Sequence, residues 1–300
     1  IEEYFDEDGR FHGAIYQPYF YEKRKEVEGD KLDEEGNRIY NQQRNLYEFM
    51  RRLLVKRFES SFGSFAKSIA NFEKVHERVL EFIKNSGGRY ILDRKLVEQI
   101  YNSDPDAIDA ALEEFVKQLS EMQKIPKHQR VYVIKDFELA DEFMQDVQSD
   151  LDLMREIRKK IEQLDLVDND PKAKTLIAEI QKILKIAPAK GEPKRKVIIF
   201  SEYTDTVRHL EPILENAFSG KIVSSNLGLS GNQLKEILAN FDASVKQHKQ
   251  KDDFQILLTS DKLSEGVNLN RAGAIINYDI PWNPTRVIQR VGRINRIGKK

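Results

Sequence analysis

The chain of 300 residues carries 49 Lys and Arg against 50 Asp and Glu, is 40% apolar and has no cysteine. That length accommodates two packed units, and the composition is globular rather than disordered; without cysteine, a disulfide framework, a thiolate metal site and a cysteine nucleophile are all excluded. A net charge of −1 argues against a uniformly basic nucleic-acid coat but leaves room for a local basic groove.

Charge is segregated along the chain. Glu2, Glu3, Asp6, Glu7 and Asp8 crowd one end, and Arg286, Arg290, Arg293, Arg296, Lys299 and Lys300 the other. The five histidines (His12, His76, His128, His209 and His248) have no metal-ligand spacing, so no metal site is expected. No apolar run reaches the roughly 18–20 residues of a membrane helix, and no charged-then-apolar leader follows Ile1. A cytoplasmic protein without a membrane partner is the expectation.

Residues 1–45 are polar and rich in turn signals such as Asp8-Gly9 and Glu35-Gly36-Asn37. Short strands over Ala14–Phe20 are compatible with this segment. From Leu46 the apolar period becomes helical: Phe58, Phe62, Phe65, Ile69, Phe72, His76, Val79 and Ile83 recur at steps of three and four. Asn85-Ser86-Gly87-Gly88 ends that stripe. His76 has no companion ligand and reads as packing. Further helices are predicted after Asp93, after the cap-plus-proline pair Asp104-Pro105, through Phe143–Leu164, and after a second such pair, Asp170-Pro171. Val131–Ile134 interrupts them with a brief β-like run.

The linker Pro188–Pro193 changes the pattern. Lys196–Phe200, Lys221–Ser224, Phe254–Ser260 and Gly273–Tyr278 read as apolar strands, with helices between. Two-sided apolar strands alternating with helices predict a parallel sheet covered on both faces. The expected organisation is a turn-rich stretch over 1–45, a mostly helical segment over 46–170 and an α/β unit over 171–300.

Asn283-Pro284 caps a last helix. At about 100° per residue, Gln289, Arg293 and Arg296 fall in one narrow sector with Arg286 and Arg290 beside it, while Val287, Val291 and Ile294 lie opposite, toward the sheet. Gly292 removes a side chain next to Arg293. A solvated basic face explains such a helix as well as a phosphate site does; guanidinium groups match phosphate oxygens in bidentate geometry.

The run Gln289-Arg290-Val291-Gly292-Arg293-Ile294-Asn295-Arg296 resembles the Q-x-x-G-R-x-x-R signature that closes the second motor domain of superfamily-two helicases. Ser264-Glu265-Gly266-Val267-Asn268-Leu269, with Thr259 at its start, is similar to the preceding motif of that lobe, and Val197–Phe200 with Ser201-Glu202-Tyr203 to its opening motif. Trp282-Asn283-Pro284 and Arg296-Ile297-Gly298 resemble the SWI/SNF-like branch, its bacterial members especially. Leu53–Phe65 is similar, more loosely, to the helical segment between the two lobes.

The resemblance implies a RecA-like second lobe of an ATP-driven translocase on double-stranded DNA. Arg293 and Arg296 would then be catalytic arginine fingers; Gln289, Gly266, Asn268 and Glu265 would lie at the nucleotide; Ser201, Tyr203, Thr259, Ser260 and Ser264 would meet the nucleic-acid backbone. Glu265 departs from the arginine that many helicases carry there. No G-x-x-x-x-G-K-[ST] loop and no D-E-x-H-type box occurs in the 300 residues. ATP and Mg2+ would serve the full-length enzyme, Mg2+ being held by a first RecA-like lobe of the same protein, and this stretch alone would be inactive. An RNA-acting helicase, a non-catalytic partner-binding module and a nucleotide-sugar-type transferase are the rival readings; the last leaves Q-x-x-G-R-x-x-R unexplained.

Overall fold

A computed structural model describes residues 1–6, 8–29, 31–92, 110–111, 113–114, 117, 130–188, 195–225, 231–264, 267–281 and 283–294, without the side chains of residues 262 and 264. Two compact units emerge: residues 1–58 with 65–164, and residues 59–64 with 165–300. None of the described helices is long and apolar enough to cross a membrane.

The N-terminal unit is built on three long helices, α1 (Glu34–Ser60), α2 (Phe62–Asn85) and α3 (Ala140–Gln163). The single stripe read from Phe58 to Ile83 is therefore split at Ser61. Phe65, Ile69, Phe72, Val79 and Ile83 are buried along α2, and Phe143, Val147, Leu151, Met154 and Ile157 along α3. Gly87 and Gly88 follow α2 in the left-handed region, which suits glycine at a helix exit. After them β1 (Arg89–Ile91) pairs antiparallel with β2 (Val131–Val133). The helix predicted after Asp93 lies outside the described residues; of the one after Asp104 only residues 110–111, 113–114 and 117 are described, and these are helical.

The start of the chain is not stranded. Ala14–Tyr16 forms a 3-10 turn and Pro18–Glu22 a short helix with proline in its first turn. Gly13 turns the chain at φ +59, and a side chain there would run into the Tyr47 ring, 2.3 Å from an added Cβ. This strap is buried and stitched down: Asp150 accepts from His12 N (2.7 Å) and Ala14 N (3.3 Å), Tyr90 Oη donates to Ile15 O (2.7 Å), and Gln43 accepts from Tyr19 N (2.9 Å). Burial pushes the Asp150 carboxyl up to about 8, against the pull of those backbone donors, and holds His76, also buried, down to about 4.

The C-terminal unit is the expected α/β unit, with the parallel sheet of a RecA-like lobe. After α4 (Pro171–Lys185) come β3 (Val197–Ser201), α5 (Thr204–Ala217), β4 (Ile222–Ser225), α6 (Gly231–Phe241), β5 (Ile256–Ser260), the single turn α7 (Asp261–Ser264), β6 (Ala274–Asn277) and α8 (Pro284–Ile294). The four strands lie in the order β4-β5-β3-β6, and every pairing is parallel.

Both faces are covered, which is why the strands read as unbroken apolar runs. Val197 and Ile199 pack with Ile256 and Leu258 under α4 and α5. Ile198, Phe200 and Leu257 pack under α6 with Leu263 and Leu269. Asp170 caps α4 by accepting from Lys172 N (2.8 Å) and Ala173 N (3.2 Å), as the Asp-Pro signal anticipates. Burial alone would raise its carboxyl, but His209 and these backbone donors outweigh that and hold it below the ordinary carboxylate range. Residues 59–64, the corner between α1 and α2, belong to this unit.

Candidate functional site

Parallel strands deliver their next residues to one edge of the sheet, and in this order the carboxyl ends of β5, β3 and β6 stand side by side. Those ends are polar: Ser260-Asp261 on β5, Ser201-Glu202 on β3, and Asn277 through Asp279 on β6. α8 is fixed to this edge through one side chain. Arg290 is fully buried and sends Nε and Nη2 to the two Asp261 oxygens (2.6 and 2.8 Å), a bidentate pair. Its Nη1 donates to Asn277 Oδ1 (2.9 Å) and Asp279 O (3.3 Å), and the guanidinium stands 5.4 Å from the Phe200 ring centre. Arg286 lies beside it, 3.7 Å from both Glu202 Oε1 and Asp261 Oδ2.

This corrects the helix orientation expected from the apolar pattern. Arg290 does not stand out from the support; it is the centre of the buried seam. Val291 is 44% exposed and Ile288 71%, so Val287, Val291 and Ile294 do not form the packing face together. Ile294 alone of those three packs against the β3–β5 core. The reason is electrostatic: an acid at the end of β5 and two oxygens from β6 satisfy a buried guanidinium, and a satisfied arginine is accommodated where an unpaired one would not be.

The arrangement brings the candidate catalytic Arg293 close to the candidate nucleotide residue Asn268. Leu269 N donates to Arg293 O (3.0 Å), joining the loop that holds Asn268 to the last turn of α8. Arg293 is half-buried, and its Nε has no hydrogen-bond partner among the described residues; neither has the buried Asn268 Oδ1. A donor and an acceptor thus remain with capacity at the carboxyl edge of the sheet. Gln289 is exposed one turn earlier. A side chain added at Gly292 would meet none of the described residues within 4 Å. Glu265, Gly266 and Arg296 lie outside the described residues, as does the Ser264 side chain.

The residues expected at the nucleic-acid backbone are further in. Ser201 and Thr259 are fully buried, Tyr203 and Ser260 nearly so. Ser201 Oγ donates to Asp279 Oδ2 (2.6 Å) and Thr259 Oγ1 to Ser260 O (3.0 Å). Asp279 also accepts from Glu202 N (2.6 Å). Asp261, Asn277 and Asp279 are the residues that sequence reasoning missed. The signal was present, since each is a polar residue closing an apolar strand.

With this geometry in place, comparison with known proteins decides the family. Residues 173–298 match the helicase conserved C-terminal domain. The C-terminal unit thus carries a helicase C-terminal domain. The chain is 36% identical over 112 residues to an uncharacterized ATP-dependent helicase, YqhH of Bacillus subtilis, a match covering 35% of this chain and 17% of the relative. It is 31% identical over 110 residues to the ATP-dependent RNA helicase dbp8 of Aspergillus fumigatus, covering 37% of this chain and 19% of the relative. The chain thus spans less than a fifth of either relative's length. A solved structure of the C-terminal part of the Fun30 ATPase domain aligns with 76% of this chain and 75% of its own, at 18% identity and a TM-score of 0.35.

Within the helicase lobe, the opposite edge of the sheet also buries cations. Lys196, fully buried before β3, donates to Asn240 O (2.6 Å) and pairs with Asp252 (2.8 Å). Burial pulls its ammonium below the usual lysine range, with Asp252 opposing. Arg271 Nη1 donates to Ala239 O, Asn240 O and Lys251 O (2.9–3.1 Å), and Nη2 to Asp252 (2.8 Å). These cations close the carbonyl end of α6, where positive charge is stabilising.

Proposed function

We propose that this chain is part of an ATP-dependent translocase of the SWI/SNF-like branch, acting on double-stranded DNA, and that the helicase lobe supplies the arginines of its ATPase site. The observation that carries this reading is the Leu269 N–Arg293 O bond, which ties Arg293 to the loop holding Asn268, each with hydrogen-bonding capacity left over among the described residues. A guanidinium on a support fixed by Arg290 loses little freedom when it meets phosphate oxygens, so its charge acts mainly where charge develops.

In this reading Arg293 and Arg296 stabilise the transferring phosphoryl oxygens, and Gln289 and Asn268 fix the approach of the nucleotide beside Gly266 and Glu265. Ser201, Tyr203, Thr259, Ser260 and Ser264 shape the backbone-facing end of the strands. Since Ser201 and Thr259 hydroxyls are used internally, their contribution is to hold neighbouring amides. ATP brings the phosphoanhydride to be cleaved, and Mg2+ would be held by a first RecA-like lobe of the same protein. The setting is a bacterial cytoplasm.

The test is ATP hydrolysis by the full-length protein with duplex DNA, single-stranded RNA or no nucleic acid. Duplex DNA is expected to stimulate turnover, and this chain by itself to hydrolyse nothing. RNA-selective stimulation would favour the second reading, an RNA-acting helicase, which the likeness to dbp8 supports. Absence of any nucleic-acid-dependent turnover would favour a non-catalytic binding module instead.

A further inference from the structure

Asp279 is engaged from three sides. Its carboxylate accepts from Ser201 Oγ (2.6 Å) and Glu202 N (2.6 Å) on the β3 loop, and from Ser60 Oγ (2.6 Å) at the corner between α1 and α2. Its carbonyl accepts from Arg290 Nη1 (3.3 Å), the side chain that fixes α8. Asp279 is 8% exposed and Ser60 fully buried, so water does not replace any of these bonds cheaply.

The corner is built for this contact. Ser60 Oγ lies 2.7 Å from Thr206 Oγ1, which lies 3.0 Å from Ser61 Oγ. A carboxylate only accepts, so the one Ser60 proton is committed to Asp279. Thr206 must then donate to Ser60, and Ser61 to Thr206, giving a directed chain Ser61→Thr206→Ser60→Asp279. Ser61 Oγ in turn accepts from Ser64 N (3.1 Å). Lys172 Nζ holds the corner's carbonyls, Glu59 O (2.5 Å) and Ser60 O (2.9 Å). Gly63 lies flat on His209, where an added Cβ would fall 2.5 Å from Nδ1.

We propose that Asp279 is a positioning residue for the arginine helix and that the Ser60–Ser61 corner sets its position, so that a change at that corner reaches Arg293 through Ser60, Asp279 and Arg290. The corner is the covalent join between α1 and α2, yet Ser60 donates to the carboxylate of the residue whose main-chain carbonyl accepts from Arg290 of α8. This rests on the ATPase reading only in what Arg293 does; the coupling itself is a property of the lobe. Energetic coupling of this kind is established by a double-mutant cycle, not by adjacency.

The experiment compares Ser60→Ala, Asp279→Asn, their double mutant and Ser60→Thr. In this chain, hydrogen exchange of the α8 amides should rise about tenfold in each single mutant, with the double mutant no worse than Asp279→Asn and exchange in α6 unchanged. Ser60→Thr, which keeps the hydroxyl, should restore protection. In the full-length protein, kcat for ATP should fall about tenfold while KM moves less than about twofold, at a temperature where every variant is folded. Unchanged α8 exchange in folded Ser60→Ala, or additive effects in the double mutant, would overturn the coupling. The exchange arm decides the proposal even if the full-length protein proves to have no ATPase, a result that would sink the functional reading instead.

Discussion

The two edges of the sheet in the helicase lobe make an instructive pair. Each buries an arginine, and each arginine has an aspartate and main-chain carbonyls for company. At the amino edge Arg271 and Lys196 are fully used: their donors end on Ala239, Asn240, Lys251 and Asp252, and the α6 terminus is closed. At the carboxyl edge Arg290 is equally well satisfied, but among the described residues Asn268 Oδ1 and Arg293 Nε next to it are not. Buried charge therefore does not by itself mark a site. What distinguishes the carboxyl edge is capacity left over after the fold has been held.

The comparison is tested hardest at Arg293. In the full-length protein Arg293→Ala should lower nucleic-acid-stimulated ATP turnover by about 10³-fold or more, as loss of an arginine finger does. Its unfolding midpoint should stay within about 1 °C of wild type, since the side chain's Nε bonds to none of the described residues. A large loss of stability with modest loss of turnover would make this arginine the counterpart of Arg271.

The converse substitution is Arg271→Ala. It strips a buried cation from three carbonyls, and each left unsatisfied costs on the order of 1–3 kcal/mol. Urea unfolding of this chain should register a drop of at least about 2 kcal/mol, while turnover per folded full-length molecule stays within about twofold. Lost turnover at full stability would erase the distinction between the edges.

Gly292→Ala separates the helix from what approaches it. A methyl there meets none of the described residues within 4 Å, and alanine is the better helix former by about 0.8–1 kcal/mol. The chain should be slightly stabilised, and on the proposed ATPase reading turnover of the full-length protein should fall, because the methyl would stand beside Arg293. Equal or faster turnover in the stabilised variant would remove Gly292 from the approach surface.

How legible all this is in the sequence depends on the range of the interaction. The strands of the lobe are readable because double-sided burial makes each an unbroken apolar run, and Asp170-Pro171 is readable because a cap and its helix are neighbours. The rotation of α8 is not, since Arg290 finds Asp261 at a separation of 29 residues and Asn277 at 13. A hydrophobic stripe counted Val291 inward because nothing local announces that an arginine will be satisfied inside. The Ser60–Asp279 contact spans 219 residues, and Ser60-Ser61 reads locally as no more than a helix break. The family motifs carry Arg293 and Asn268 to attention, but only the fold shows that Leu269 N and Arg293 O tie them together.

The N-terminal unit supplies the counter-case that sharpens the criterion. Tyr16 Oη and His76 Nε2 also lack hydrogen-bond partners among the described residues, yet both are sealed in the core near Asp150, with His76 Nε2 3.9 Å from its carboxylate. Leftover capacity without access should show itself as a pH-dependent stability rather than as binding. Between 3.8 and about 8 the folded state holds a proton on Asp150 that the unfolded chain has released, so stability falls as pH rises through that window. Between about 4 and 6.5 the unfolded chain binds a proton at His76 that the folded state refuses, so stability there rises with pH and opposes the first slope. From pH 6.5 to 8 the Asp150 slope stands alone, on the order of 1.4 kcal/mol per unit. Urea unfolding of this chain should therefore weaken by about 2 kcal/mol across that interval, and Asp150→Asn, which keeps an acceptor for His12 N, should flatten the slope. A slope unchanged in Asp150→Asn would place the titration elsewhere, and the sealed pair would then be neutral packing rather than a strained acid.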